Sequence, residues 1–496
     1  MATLFFPHGA EAKKLANRYK KGELNRIRKG IYIDSFDDAE ITRTLENNWP
    51  QIACFLFGEP LAVARTAAEL KPAEGKLYFV SGELTGRRMI EVGHLRFNIA
   101  PGNVGLGSQQ FTFDLKKSNR ARCCLENLAP SRGNQNSKKT LGAKWVENEL
   151  IKVIRERGEK GLNELRDEAK ELAVPLDLDK AFHQLNQLVS AILNTHPAAG
   201  VLQTEIGLAL AKGEPYDQAR LDRFSAFANY LTRLSLSKND YTYSRSGWRN
   251  LSFFESYFSN YIEGTKFTIE EAEKIVFGKG IIYRRHADSH DVLAHMEITS
   301  DMSEMKRVPT TAHELISLLK IRHQLLLAER PEKRPGEFKD KANQAGTTQF
   351  VLPADVEGTL VQGFKIYQRL PKGMHRALFI HFLVSECHPF DDGNGRVSRI
   401  MMNAELVSQD QFKIIVPTVH RDSYLLGLKL ATRSGRFRAN VKVLHQMQCY
   451  TASIEWDDYG TVKDTIQKHA ADKEPDEGVA VFNNVISRMG DEYLPG

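Results

Sequence analysis

Twelve consecutive residues carry the densest chemistry in this chain: His388-Pro389-Phe390-Asp391-Asp392-Gly393-Asn394-Gly395-Arg396-Val397-Ser398-Arg399. Gly393 and Gly395 permit backbone conformations that turn successive N–H groups toward one point. A helix starting there adds the partial positive charge of its N-terminus. Asn394, Arg396 and Arg399 are further donors, and the two arginines are three residues apart, on one helical face. Together they make an anion site suited to a polyphosphate. Asp392 is a hard oxygen ligand of the kind a Mg²⁺–phosphate pair needs. His388 is the nearby side chain whose ordinary pKa suits a general base near neutral pH. The competing structural reading is a glycine-rich turn with a surface histidine.

Two helices must position this loop. An apolar run, Arg376 to Cys387, leads into it and stops near His388, because Pro389 cannot continue a helix. An amphipathic run, Arg396 to Leu406, leads out. Leucines and aromatics recur at helical spacing from about residue 215 onward, so the C-terminal half is expected to be mostly helical. Arg330–Pro353, rich in breakers, reads as a long loop or hairpin set into that half, and long loops in compact domains are usually functional.

The twelve residues resemble the signature of Fic-domain proteins, H-x-F-x-[D/E]-G-N-G-R-x-x-R, with every defined position filled. The resemblance covers about residues 215–450. It implies a helical fold and transfer of AMP from ATP to a Ser, Thr or Tyr hydroxyl of a protein, which is a nucleotidyltransferase activity. By that resemblance His388 deprotonates the acceptor and Phe390 anchors the loop. Asp392 holds Mg²⁺ (or Mn²⁺), while Gly393, Asn394, Gly395, Arg396 and Arg399 bind the phosphates. Asp391 receives no role. A second stretch, Ser259-Asn260-Tyr261-Ile262-Glu263-Gly264, resembles the Fic inhibitory helix, [S/T]-x-x-x-E-[G/N]. Its implied site residues are Ser259, Glu263 and Gly264, with Glu263 pairing to Arg399. Glu-Gly is also an ordinary helix ending. In some family members the same glutamate serves removal of AMP, and the motif leaves both directions open. The Arg330–Pro353 segment resembles the family's β-hairpin flap, with its tip expected within Gly336–Gly346, where a target would dock by strand pairing. A surface insertion is the alternative.

The net charge is +6 in 496 residues. Lys13, Lys14, Arg18, Lys20, Lys21, Arg26, Arg28 and Lys29, against Glu11 and Glu23, account for all of it. That points to a local partner. The basic opening, Ala10 to Ile33, reads as a helix followed by a hairpin around Lys29-Gly30. With Arg122–Leu128 it resembles AbiEi-type antitoxins, which are winged-helix proteins. That implies DNA contact, although too few residues precede Leu24 for the helices of a full winged helix. A protein-docking or solvated face is the alternative. A DNA-binding regulator with a Fic nucleotide sensor therefore stands beside the enzyme readings.

The fold expected is mainly α: a helical Fic domain with a hairpin flap, preceded by an α+β winged-helix-like region. The expected divisions are a basic region (1–50), an α+β domain (51–200), a Fic domain (201–460) and a loosely attached tail (461–496). Within the Fic domain lie the inhibitory helix (252–264), the flap (330–353) and the active loop (388–399). Strand-like runs are Lys76–Ser81, Met89–Val92 and Leu95–Ile99. Residues 120–129 and 144–172 look helical.

Other chemistry is excluded or weak. The five cysteines are odd in number and contain no C-x-x-C pair, so no disulfide framework or zinc ribbon is expected. No P-loop and no H-E-x-x-H occurs. His286, His290 and His295 with Asp288 and Asp291 read as a solvated helix. His381 reads as a core-facing polar residue. No signal peptide or membrane-spanning run is expected. The reading is a cytoplasmic protein whose partners are a target protein or itself, with no membrane; a homodimer and DNA contact are the further expectations.

Overall fold

The computed structural model describes residues 2–7, 11–134, 136–236, 238–242, 244–278, 280–487 and 489. Ala10, where the basic opening was expected to begin, and residues 490–496 of the expected tail lie outside them. The chain divides into two compact units, Met1–Gly213 and Glu214–Gly496.

In the first unit the expected hairpin forms. Asn25–Arg28 pairs antiparallel with Ile31–Ile33, which pairs in turn with Leu4–Phe5. Gly30 turns the chain at φ +85°, where a side chain would be strained. The helix Glu11–Lys20 precedes the hairpin, and Asp38–Asn47 and Trp49–Phe57 follow it. A winged helix is therefore not shown, since the helices that should come before the wing come after it. The second sheet, six-stranded among the described residues, runs Arg88–Val92, Leu95–Pro101, Lys76–Ser81, Leu61–Ala62, Leu115–Ser118 and Ser108–Thr112. The alternation of Leu95, Phe97 and Ile99 with less buried neighbours gives this sheet one core face. Ile31, Ile33, Ile41 and Leu45 share one core with Leu77, Phe79 and Phe97. The division expected at residue 50 is therefore not reproduced: neither piece buries its apolar face without the other. The helices Arg120–Leu128, Ala143–Ala173 and Asp179–Ile192 build a separate core.

The second unit is helical and centred on Met374–Cys387 and Asn394–Val407. From Ala377 to Cys387 every side chain is buried. A helix apolar on all sides belongs inside a core, not on its surface. The helix Arg245–Ile262 brings Glu263 to its C-terminal end, where Gly264 at φ +95° stops it. The tail corrects the expectation: Tyr459–Lys468 and Pro475–Ile486 are helices, and Val462, Ile466, Phe482 and Ile486 are buried in the same core as the central pair. Their apolar stripes are what attaches them. The flap region holds a short hairpin, Gln344–Ala345 with Thr348–Gln349, turned at Gly346. Its tip thus sits at the end of the expected range, and the residues from Gly336 to Asn343 run along the active loop instead.

Candidate active site

The loop is built by two helix ends and a set of side chains that close on its backbone. The leading helix ends at His388, which takes a left-handed conformation (φ 46°, ψ 59°) while its N–H still donates to Val384 O. The following helix begins at Asn394, with Gly393 at φ +71° as its cap. Asn394 is an internal brace. Its Oδ1 accepts from the Phe390 N–H and its Nδ2 donates to the Phe390 carbonyl, both at 2.9 Å. Its side chain is thereby buried and turned to the loop's own backbone, which leaves its main-chain N–H as the group better placed for the phosphate role expected of it.

Phe390 is fully buried and stacks face to face on His323, with ring centroids 3.8 Å apart. His323 Nδ1 accepts from the Gly336 N–H at 2.9 Å, and its Nε2 donates to the Asp392 carbonyl at 3.1 Å. Burial lowers its pKa to about 4, so the ring is neutral and both bonds are satisfied at once. Asn343 Nδ2 donates to the Phe390 carbonyl at 3.0 Å, and the Lys339 N–H to Pro389 O at 2.8 Å. His323, Lys339 and Asn343 were not legible as site residues, because each acts on loop backbone far away in sequence.

His388 itself stacks on Phe350, just beyond the hairpin, at 3.8 Å. Its Nδ1 faces Ser385 O at 3.4 Å, which assigns the proton to Nδ1 and leaves Nε2 as the acceptor. Burial, then the positive Lys339, lower its pKa to about 4. A neutral imidazole is the form a general base requires.

Arg399 is buried and held on every side. Nε donates to Ser259 Oγ at 3.0 Å and Nη2 to Ser259 O at 2.9 Å; Nη2 also meets Glu263 Oε1 at 2.7 Å. Nη1 lies 3.4 Å from Tyr424 Oη, which also bonds His381 Nε2 at 2.8 Å. His381 is core-facing, as read from the sequence. The Glu263 carboxylate sits over Gly395: a Cβ there would stand 2.1 Å from Oε1. Glycine is thus required for the carboxylate's approach. A cavity of about 470 Å³ is lined by His388, Gly395, Arg399, Glu263, Phe350 and Tyr424. Among the residues that resemble the two motifs, the fold therefore brings the expected base, one arginine and the glutamate to one space.

Arg396 has a different partner. Its Nη1 donates to Asp291 Oδ2 at 2.6 Å and lies 3.3 Å from Asn260 Oδ1, while its Nε is buried without a partner among the described residues. Asp291 is 1% exposed and also takes Arg330 Nε on both oxygens, at 3.2 and 3.0 Å. The solvated helix expected around His286–His295 is corrected here. Ser289, Asp291 and His295 are buried, because this helix packs against Arg245–Ile262. No group of three metal-ligating side chains occurs there or elsewhere among the described residues. Asp391 pairs with Arg334 at 3.0 Å.

Residues 314–406 match the Fic/DOC family. This chain carries a Fic domain. The protein adenylyltransferase Fic of Drosophila yakuba is 24% identical over 249 residues, 49% of this chain and 46% of that protein. That of Drosophila willistoni is 26% identical over 187 residues, 36% of each chain. This chain thus spans about half the length, or less, of these curated relatives. Fic-1 from C. elegans aligns over 65% of this chain and 91% of its own at 15% identity, with a TM-score of 0.35. Among the described residues no helix is long and apolar enough to cross a membrane, and none of the five cysteines is joined in a disulfide.

The Fic domain's acidic loop residue suits a hard cation. Partial burial of Asp392 opposes ionisation, but the Gly393 N–H at 2.6 Å and the positive Arg396, Lys333 and Arg330 outweigh it. The carboxyl is held below its ordinary range and keeps an exposed side. One carboxylate beside phosphate oxygens and water is a donor set that Mg²⁺ accepts.

Proposed function

We propose that this protein is an autoinhibited protein adenylyltransferase, transferring AMP from ATP to a Ser, Thr or Tyr hydroxyl of a target protein or of itself. The observation that carries the reading is the Glu263 carboxylate bonded to Arg399 in the cavity that holds His388. In the active state His388 Nε2 takes the proton of the acceptor hydroxyl, whose oxygen attacks the α-phosphorus as pyrophosphate leaves. Arg399 and the N–H groups at the start of the Asn394–Val407 helix neutralise phosphate charge, and positioning supplies most of the acceleration. Asp392 would hold Mg²⁺, whose charge would offset that of the phosphates. While Glu263 occupies Arg399, that arginine is withheld from ATP. A second reading, removal of AMP from a modified target, is favoured by the same carboxylate lining the cavity, where it could align a water.

Intact-mass spectrometry after exposure to ATP and Mg²⁺, with α-labelled ATP on candidate targets and lysate, tests both readings. Glu263→Gly is expected to gain AMP or to label a partner more strongly than the unaltered chain, and His388→Ala to do neither. Absence of any adduct with Glu263→Gly would count against AMP transfer. Release of AMP from pre-adenylylated targets only by the chain with Glu263 intact would support the reverse reaction.

A further inference from the structure

The first unit carries a cleft of about 830 Å³ that the Fic chemistry does not use. Its floor is the end of the larger sheet, where Tyr78, Asn98 and Met89 lie in register across three strands. The loop that follows the helix Arg120–Leu128 forms one wall and contributes Arg132 and Lys139. The strand end Arg87-Arg88 forms the other.

Three properties of this cleft set its ligand chemistry. First, four cations line it and no carboxylate does. None of Arg87, Arg88, Arg132 and Lys139 has a side-chain hydrogen bond or ion pair among the described residues, although most basic side chains of the active-site region do. The positive charge is crowded as well. Loss of hydration between the walls holds the Lys139 ammonium below its ordinary range, and Arg87 and Arg122 add to it, with Glu126 only partly offsetting them. Glu126 is already bound to Arg122 Nε at 2.7 Å. Second, the floor offers apolar surface: Met89 is 57% exposed, and the half-buried Tyr78 ring is fixed by its hydroxyl, which donates to Ser137 O at 2.9 Å. Third, the floor offers no free main chain. Arg88–Val92, Leu95–Pro101 and Lys76–Ser81 are bonded to one another, so a peptide could add a strand only at the outer edge of Arg88–Val92, outside the cleft. A phosphodiester backbone needs only cations, and bases need only a flat or apolar face.

We propose that this cleft binds a short stretch of single-stranded nucleic acid, with its phosphates on Arg87, Arg88, Arg132 and Lys139 and a base over Met89 and Tyr78. The interaction is sequence-tolerant, because cations and apolar contact read no base edge. It is separate from the basic helix Glu11–Lys20, and it does not depend on AMP transfer.

Fluorescence anisotropy of labelled twelve-residue oligo-dT and oligo-U against the full chain tests it. With up to four phosphates neutralised, affinity should fall about 50-fold between 50 and 200 mM salt. Arg87→Glu and Lys139→Glu should each weaken binding by about tenfold or more, while circular dichroism stays unchanged, as expected for exposed side chains. Lys13→Glu with Lys14→Glu should leave most of the affinity in place. Absence of binding at 50 mM salt would overturn the proposal. So would affinity lost with the Lys13 and Lys14 reversals and kept with the cleft reversals. Displacement of the probe by polyglutamate as readily as by unlabelled oligo-dT would also overturn it, making the cleft an acidic-peptide site.

Discussion

Arg396 and Arg399 are three residues apart on one helix, and by type and spacing they are equivalent. The fold makes them opposites. Arg396 is tied to Asp291, a carboxylate 1% exposed that also holds Arg330 at the start of the flap segment. Arg399 is tied to Glu263, whose side chain is 27% exposed at the end of a helix and faces the cavity. The buried Asp291 carboxylate cannot leave without stranding Arg396, while Arg330 keeps Asp288 at 2.7 Å. A carboxylate at a solvent-facing helix end can swing out and be hydrated. One pair is therefore built into the core and the other is free to part, which is what the proposed inhibition requires if the site is to keep its shape.

The largest expected effect would break the architectural side. Asp291→Ala should cost about 3–5 kcal/mol of stability, chiefly because the buried Arg396 loses its carboxylate partner, while Arg330 is left with Asp288 alone. Chemical denaturation measures it. A loss under about 1 kcal/mol would show that the Arg396 pair is no more structural than the Arg399 pair. Next comes the switch. Glu263→Gly should raise AMP transfer by roughly 30-fold, equivalent to about 2 kcal/mol, with little change in the denaturation midpoint. Equal initial rates for the variant and the unaltered chain would remove the contrast.

A pH titration tests the same core, because buried histidines in it, two of them near these arginines, are kept neutral. Burial, then Arg399, lower His381 to about 3, and burial lowers His323 and His420 to about 4. The unfolded chain binds these protons near pH 6.5 and the folded chain does not, so stability should fall as pH drops from about 6.5 toward 4. The slope is about 1 kcal/mol per pH unit for each such group. A stability that is flat across that window would contradict the neutral assignments. The smallest effect expected is that of Ser259→Ala. It removes the hydroxyl acceptor of Arg399 Nε but keeps the Ser259 carbonyl, so it should cost about 1 kcal/mol. It should raise basal transfer by only a few-fold, since Glu263 remains.

What could be read from the sequence was what neighbours in the chain decide. Pro389 and the glycines define where one helix stops and the next begins, and the strand-like runs Lys76–Ser81 and Leu95–Ile99 fall on strands, Lys76–Ser81 and Leu95–Pro101. The twelve-residue loop and the Ser259–Gly264 motif could be seen because their chemistry is local in sequence. Asp291 and His323 could not, since a carboxylate next to histidines and a histidine in an apolar helix look the same whether solvated or buried. The tail helices failed for a related reason. Val462, Ile466, Phe482 and Ile486 are sparse in a polar segment, and only their burial in the larger core shows that they hold it.

By itself the sequence determined the residue types at the loop, the breaks that shape it and the glutamate at the end of the second motif. Those depend on covalent geometry and on interactions a few residues long. Only the tertiary structure decided which arginine the glutamate reaches, that Asn394 is a brace, and that Asp291 sits beneath Arg396. Those depend on which helices pack together, and a charge is tuned by what surrounds it in space rather than by its neighbours along the chain.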